Sequence, residues 1–359
     1  MSWFLAFVGF ALLIILHEAG HFAAAKAVGM RVERFMLFFG RPLVSFRRGE
    51  TEYGIGPIPL GGYVRITGMN PREEFSDDVA VRAYYRQPVW KRIVVILAGP
   101  AVNLLIAFAI LWALFLANGE ATSSRVVSSA NLEQPAARYL QPGDRLVSVD
   151  GVSGDVVAMA RQVASHRCAG RALDGCVATT PAHIVVVRDG KRVAFDISPR
   201  YDATRGIERT RLGFTYAAGT RELGPAAAAG ASVSGMWEVT RRTLTVFAKI
   251  FQAEERRQVG SFVGAYEVTR QAIGFDVERA LEILALISLS LAVINLFPFL
   301  PLDGGHVFWA LAEKVRGRAI PFSIMERASV IGFALVIMLF VIGLSNDIDR
   351  LQNGGFNVR

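Results

Sequence analysis

The chain has 359 residues, 52% of them hydrophobic, with a mean hydropathy of +0.37 and a formal net charge of +8. So much apolar surface excludes an ordinary soluble domain and is usual for a chain with several membrane spans. The basic residues are spread over loops and one long polar region rather than gathered on one soluble face, which argues against nucleic-acid binding.

Four stretches approach the roughly 20 apolar residues that a hydrocarbon core requires. They are residues 3–26, 93–117, 280–302 and 328–345, and only the second is a plain, charge-free span. The first has no Lys or Arg ahead of its apolar run, so it does not read as a secretory signal. Residues 31–92 carry eleven Lys or Arg, and Lys314, Arg316, Arg318 and Arg327 lie in or beside the last connection. Both loops are therefore expected in the cytoplasm, which leaves the N-terminus, the region 119–279 and the tail 346–359 outside.

Within the first loop, RRGETEYGIGPIPLGGYVRITG (residues 47–68) patterns as strands at 51–55 and 60–67 on either side of a Gly-Pro break. A hairpin at the membrane face is expected, either purely structural or offering its backbone to an added strand. Residues 119–219 change to a soluble mix, with strands at 125–127, 145–149, 183–187 and 192–197 and a helix at 156–165. LQPGDRLVSVDG (residues 140–151) resembles the turn-and-strand signature of PDZ domains, which bind peptides by strand addition. A domain that only blocks access would look the same. Residues 225–275 place apolar side chains at helical spacing among Arg and Glu and read as amphipathic helices at the outer surface. Cys168 and Cys176 fall in the external region, where a bridge closing their short loop is expected over free thiols.

The chemistry is concentrated in ALLIILHEAGHFAAAKAVG (residues 11–29), where two histidines and a glutamate interrupt an apolar helix. Ionisable groups inside a bilayer are costly and mark function by default. His17 and His21, at i and i+4, share one helix face and can reach one ion; Glu18 lies beside them, near enough to act on a water without being a ligand. A catalytic zinc usually takes three protein ligands and keeps a fourth position open. INLFPFLPLDGGHVF (residues 294–308) supplies the third in Asp303, because Pro298 and Pro301 break the span. Irregular backbone at membrane depth is tolerated only where it lines a cavity or is buried in protein. His306 reads as a neighbouring or surface residue before it reads as a ligand, and Asn295 either binds substrate backbone or bridges helices.

HEAGH in the first span, AGPAVN (residues 98–103) opening the second, one PDZ-like external region and NLFPFLPLDGGH in the third together give a resemblance that covers essentially the whole chain. The chain resembles the site-2 proteases, intramembrane zinc metalloproteases that cut transmembrane substrates. It is most like the regulator-of-sigma-E protease branch and, through RRGETEYG, its actinobacterial members. The resemblance implies a polytopic α-helical membrane protein with about four transmembrane helices, a membrane-associated β-hairpin and one extracytoplasmic PDZ domain. It assigns Zn²⁺ to His17, His21 and Asp303, acid–base work to Glu18, and substrate handling to Asn295 and the 56–65 hairpin, with Gly61, Gly62 and Tyr63. The expected layout is 1–30 and 93–118 as the first two spans with loop 31–92 between them. There follow the PDZ domain at 119–219, amphipathic helices at 220–279, a third span at 280–303, a loop at 304–327, a fourth span at 328–345 and the tail 346–359. The implied setting is a bacterial inner membrane with the N-terminus and PDZ domain outside, and the implied substrates are single-span membrane proteins such as anti-sigma factors. Some relatives carry two PDZ domains; one is found here. Two alternatives stand beside this reading: a non-catalytic metal-binding or PDZ scaffold in the membrane, and an anchored zinc protease with a soluble site, whose third ligand would have to be Glu33 or the Glu73–Glu74 pair.

Overall fold

A computed structural model of the chain describes residues 2–70, 73–130, 134–204 and 208–352. Helix α1 (Ser2–Ala27) is followed by strands β1 (Val32–Phe39), β2 (Val44–Arg48), β3 (Thr51–Ile55) and β4 (Ile58–Ile66), the single turn α2 (Asp77–Ala80) and helix α3 (Val89–Asn118). Next come β5 (Glu120–Ala130), β6 (Arg145–Val149), β7 (Val152–Ser153), α4 (Val156–Ser165), β8 (Ala182–Arg188), β9 (Lys191–Ile197), β10 (Arg200–Asp202), β11 (Arg209–Arg211) and β12 (Phe214–Arg221). The remaining elements are helical: α5 (Pro225–Ala248), α6 (Ala253–Arg256), α7 (Phe262–Phe275), α8 (Val277–Asn295), α9 (Asp303–Arg316) and α10 (Phe322–Gln352). Two compact units result, Met1–Phe115 with Pro225–Arg359, and Leu116–Gly224.

In the first unit, α1, α3 and α10 are long and apolar enough to cross a membrane. Helix α8 carries Glu278, Arg279 and Glu282 in its first two turns and is not among them. The span expected over 280–302 stops at Asn295. Pro298 and Pro301 cannot donate to a continuing helix, so the chain turns through residues 296–302, with a cis Leu300–Pro301 peptide, and a separate helix starts at Asp303. Asp303 thus begins α9 instead of ending a span. Helix α10 outruns the expected 328–345 at both ends; residues 346–352 of the expected tail are helical and the rest lie outside the described residues. Around these helices α7 packs on α1 through Phe10 and Phe262, and α5 meets the loop after α8 through Phe247 and Phe297.

The sheet order is β2-β3-β1-β4, which corrects the expected hairpin of 51–55 with 60–67. Strand β1 lies between them, parallel to β3 and antiparallel to β4. The Gly56-Pro57 link passes over the end of β1, held by the Gly56 N–H donating to Leu37 O at 2.8 Å. The true hairpin is β2–β3, turning at Gly49 and Glu50. Alternation identifies strands, but their partners follow from which strand needs cover on both edges, and the apolar VERFMLFF of β1 takes the interior place. The hairpin tip is tied to the end of α1: Glu50 accepts from Arg82 at 2.8 Å and from Lys26 at 2.5 Å. Arg82 first, then Lys26, holds the Glu50 carboxyl down to about 2. These half-exposed pairs are worth about 1 kcal/mol or less each; their effect is to orient the sheet against α1.

The second unit is an antiparallel sheet in the order β12-β5-β6-β8-β9, with β7 on β6. Met159 and Val163 of α4 pack on Val127, Leu146, Val149, Ile184, Val186 and Ile197. The strands expected at 125–127, 145–149, 183–187 and 192–197 fall on β5, β6, β8 and β9, and the expected helix is α4, capped by Asp155. Cys168 and Cys176 are joined as a disulfide, their Cα atoms 6.2 Å apart.

Candidate metal centre

His17 and His21 project from one face of α1 and are buried, their Nε2 atoms 3.2 Å apart. Asp303, the first residue of α9, brings Oδ2 to 3.3 Å from His17 Nε2 and 3.4 Å from His21 Nε2. Among the described residues these three form the one cluster whose donor atoms could hold a metal ion. Ligands placed about 2.0–2.1 Å from a tetrahedral ion stand about 3.3 Å from one another, which matches all three separations. Asp303 Oδ2 is also buried without a hydrogen-bond donor, and a buried carboxylate oxygen left so would be expensive unless a cation completed it. The donor set and its spacing therefore fit zinc.

Helix α3 backs the site. His21 Nδ1 donates to Val95 O at 2.8 Å, which leaves Nε2 with its lone pair. The amide of Asn103 lies 3.1 Å from His17 Nδ1. Gly99, on the same helix, permits this approach: a Cβ there would stand 2.2 Å from His21 Nε2. Arg92 grips Glu313 with two bonds of 2.9 and 2.7 Å, fixing the last turns of α9 to the start of α3. At the other end of α9, Gly304 lies so close to the Leu296 carbonyl that a Cβ would come within 2.2 Å of it, so the LDGG glycine lets Asp303 turn in beneath the broken loop.

Glu18 is adjacent to the cluster and outside it. Strand β4 runs past it: a Cβ on Gly62 would be 2.9 Å from Glu18 Cγ. Among the described residues strand β4 pairs only with β1, which leaves its second edge unpaired there. Of the other candidates, Gly61 packs on the Phe39 ring and Tyr63 stacks on it at 6.0 Å, within β4. Asn295 ends α8, half-buried and outside the donor cluster, and His306 lies one turn along α9 from Asp303 without contributing a donor. Glu33 and Glu73 are engaged with Arg65 at 3.0 and 2.9 Å.

Sequence reasoning assigned no role to Val95, Gly99, Asn103 or the Arg92–Glu313 pair. Only Asn103 carries a local signal, as a lone amide in an otherwise charge-free span; the others depend on which helix passes α1.

Residues 5–339 match peptidase family M50. The zinc metalloprotease Rip1 of Mycobacterium tuberculosis is 33% identical over 362 residues, covering 88% of this chain and 87% of Rip1. A Brucella suis protein whose name assigns it provisionally to the zinc metalloproteases is 30% identical over 365 residues, covering 94% of this chain and 92% of that protein.

Proposed function

The chain belongs to peptidase family M50 and is a zinc metalloprotease, and from that premise we propose that it cuts single-span membrane proteins within the bilayer. The observation that carries this reading is the placing of Glu18, a base beside three donors spaced for one ion, against the open edge of β4. His17, His21 and Asp303 would hold zinc, which when bound supplies Lewis-acid polarisation of the scissile carbonyl and acidifies water. Glu18 takes the proton of the attacking water and delivers it to the leaving amine. A peptide bond inside a helix is shielded, so the substrate must unwind. Pairing as a strand on β4 would hold it extended, with its carbonyl beside Glu18; Gly61, Gly62 and Tyr63 lie on that strand, and Asn295 is the further candidate for its backbone.

We read residues 119–219 as a PDZ domain that selects substrates already shortened outside the membrane, anti-sigma factors being the class the resemblance suggests. The Lys and Arg of residues 31–92 support a cytoplasmic sheet with the PDZ domain on the outer side of a bacterial inner membrane. Glu18→Gln tests the reading. The amide cannot accept a proton, so the variant should keep zinc and lose cleavage of a transmembrane substrate in membranes. Near-normal cleavage would falsify the role of Glu18. A non-catalytic metal-binding scaffold has no use for a base at that place and would show no Glu18-dependent fragments.

A further inference from the structure

We infer that Asn103 is a positioning residue for His17: its amide oxygen accepts the His17 Nδ1–H and so keeps Nε2 free to bind metal. The inference rests on His17 being a metal ligand.

Asn103 is completely buried, and its backbone carbonyl accepts from the buried Ser288 hydroxyl at 2.9 Å, which ties this turn of α3 to α8. In the structure the amide nitrogen faces His17 Nδ1 at 3.1 Å, and the amide oxygen is buried without a partner. A neutral imidazole carries one proton. If Asn103 donated to Nδ1, that proton would sit on Nε2, 3.3 Å from Asp303 Oδ2, and His17 would have no lone pair for an ion. Half a turn of the amide, which hardly changes its shape, makes the oxygen the acceptor. It exchanges one unpartnered amide atom for the other, so the preference comes from His17 and from what its Nε2 must do.

His21 shows the same arrangement without ambiguity. Its Nδ1 faces Val95 O, which can only accept. Each histidine then donates Nδ1–H to an oxygen on α3 and turns Nε2 toward Asp303. Partners of this kind fix ring orientation and tautomer and raise ligand basicity, and removing one typically costs 10–100-fold in metal affinity.

The experiment uses the full-length protein in detergent, with zinc affinity read by competition against a chelator and folding followed by thermal unfolding. Asn103→Leu should bind zinc about 10–100-fold more weakly. Asn103→Asp, which as a carboxylate can accept and cannot donate, should hold zinc at least as tightly as the unchanged protein. Ser288→Ala loosens the same turn without touching the ring and should leave affinity unchanged. Asn103→Leu that binds zinc normally, Asn103→Asp that is as weak as Asn103→Leu while both melt normally, or Ser288→Ala that is equally weak would each overturn the inference. His17→Ala separates the two levels: if it keeps its zinc the ligand assignment is wrong, and if it loses zinc while Asn103→Leu does not, only the positioning role fails.

Discussion

Replacing Gly99 with alanine tests the packing of α3 on α1 at the point where the candidate metal donors meet. The added Cβ would lie 2.2 Å from His21 Nε2, 2.6 Å from Cε1 and 2.8 Å from Cδ2, against ordinary contacts that begin at 3.4 Å. The ring must therefore retreat by about 1.2 Å, the difference between those distances, or the helices must separate by as much. Metal–ligand bonds tolerate roughly 0.2 Å, so either response removes His21 from the donor set and stretches its 2.8 Å bond to Val95 O. Loss of a supporting partner alone costs up to ~100-fold in affinity, and displacing the ligand itself should cost at least that. Helix propensity runs the other way, since alanine is favoured over glycine by about 1 kcal/mol, so a weakened site cannot be blamed on a poorer helix. The assay is zinc content after dialysis, with affinity by chelator competition and helicity as a control. A folded Gly99→Ala protein holding one zinc at unchanged affinity would refute the packing argument.

Three more outcomes are expected. Gly62→Ala puts a Cβ 2.9 Å from Glu18 Cγ and 3.0 Å from Met36 O; since a misplacement of ~1 Å can cost 10²-fold in rate, cleavage should fall about tenfold or more with zinc retained, and unchanged cleavage would disprove the contact. Asp144, buried, accepts two 2.7 Å bonds from Arg188, which holds its carboxyl below the usual range. Its contribution is thus present above the unfolded value of about 4 and lost as pH falls through the lower folded value. Asp144→Ala should cost about 2 kcal/mol near neutrality and progressively less in acid, as read by hydrogen exchange in the second unit; a difference constant from pH 7 to pH 2 would contradict this. The Cys168–Cys176 bridge closes a loop of sequence separation 8, worth about 2.5 kcal/mol by loop-closure entropy. The Cys168→Ser/Cys176→Ser protein should melt earlier, and two reactive thiols in the native protein would contradict the bridge.

The candidate donor cluster that the structure gathers was legible residue by residue, because the signals for His17, His21 and Asp303 are local. HEAGH puts two imidazoles on one helix face by spacing alone, and two prolines ahead of Asp303 announce a break at membrane depth. The hairpin was misread because alternation at 51–55 and 60–67 marks two strands without saying that β1 enters between them. The third span was drawn too long for a related reason: the apolar run through Phe297 and Leu300 continues where the helix has ended. Gly99 and Asn103 act across a helix crossing, which no window along the chain contains.

The candidate donors also come from widely separated parts of the chain, His17 and His21 on α1 and Asp303 on α9. At about 5–20 residues per second, a ribosome needs on the order of a quarter-minute to a minute to travel from one to the other. During that interval the first helix carries its two imidazoles and its glutamate without Asp303 to complete the set. On the proposed mechanism a half-synthesised chain would lack its third donor and so could not cut. The proposed site would be completed only when the LDGG turn reaches α1, a helix made long before it.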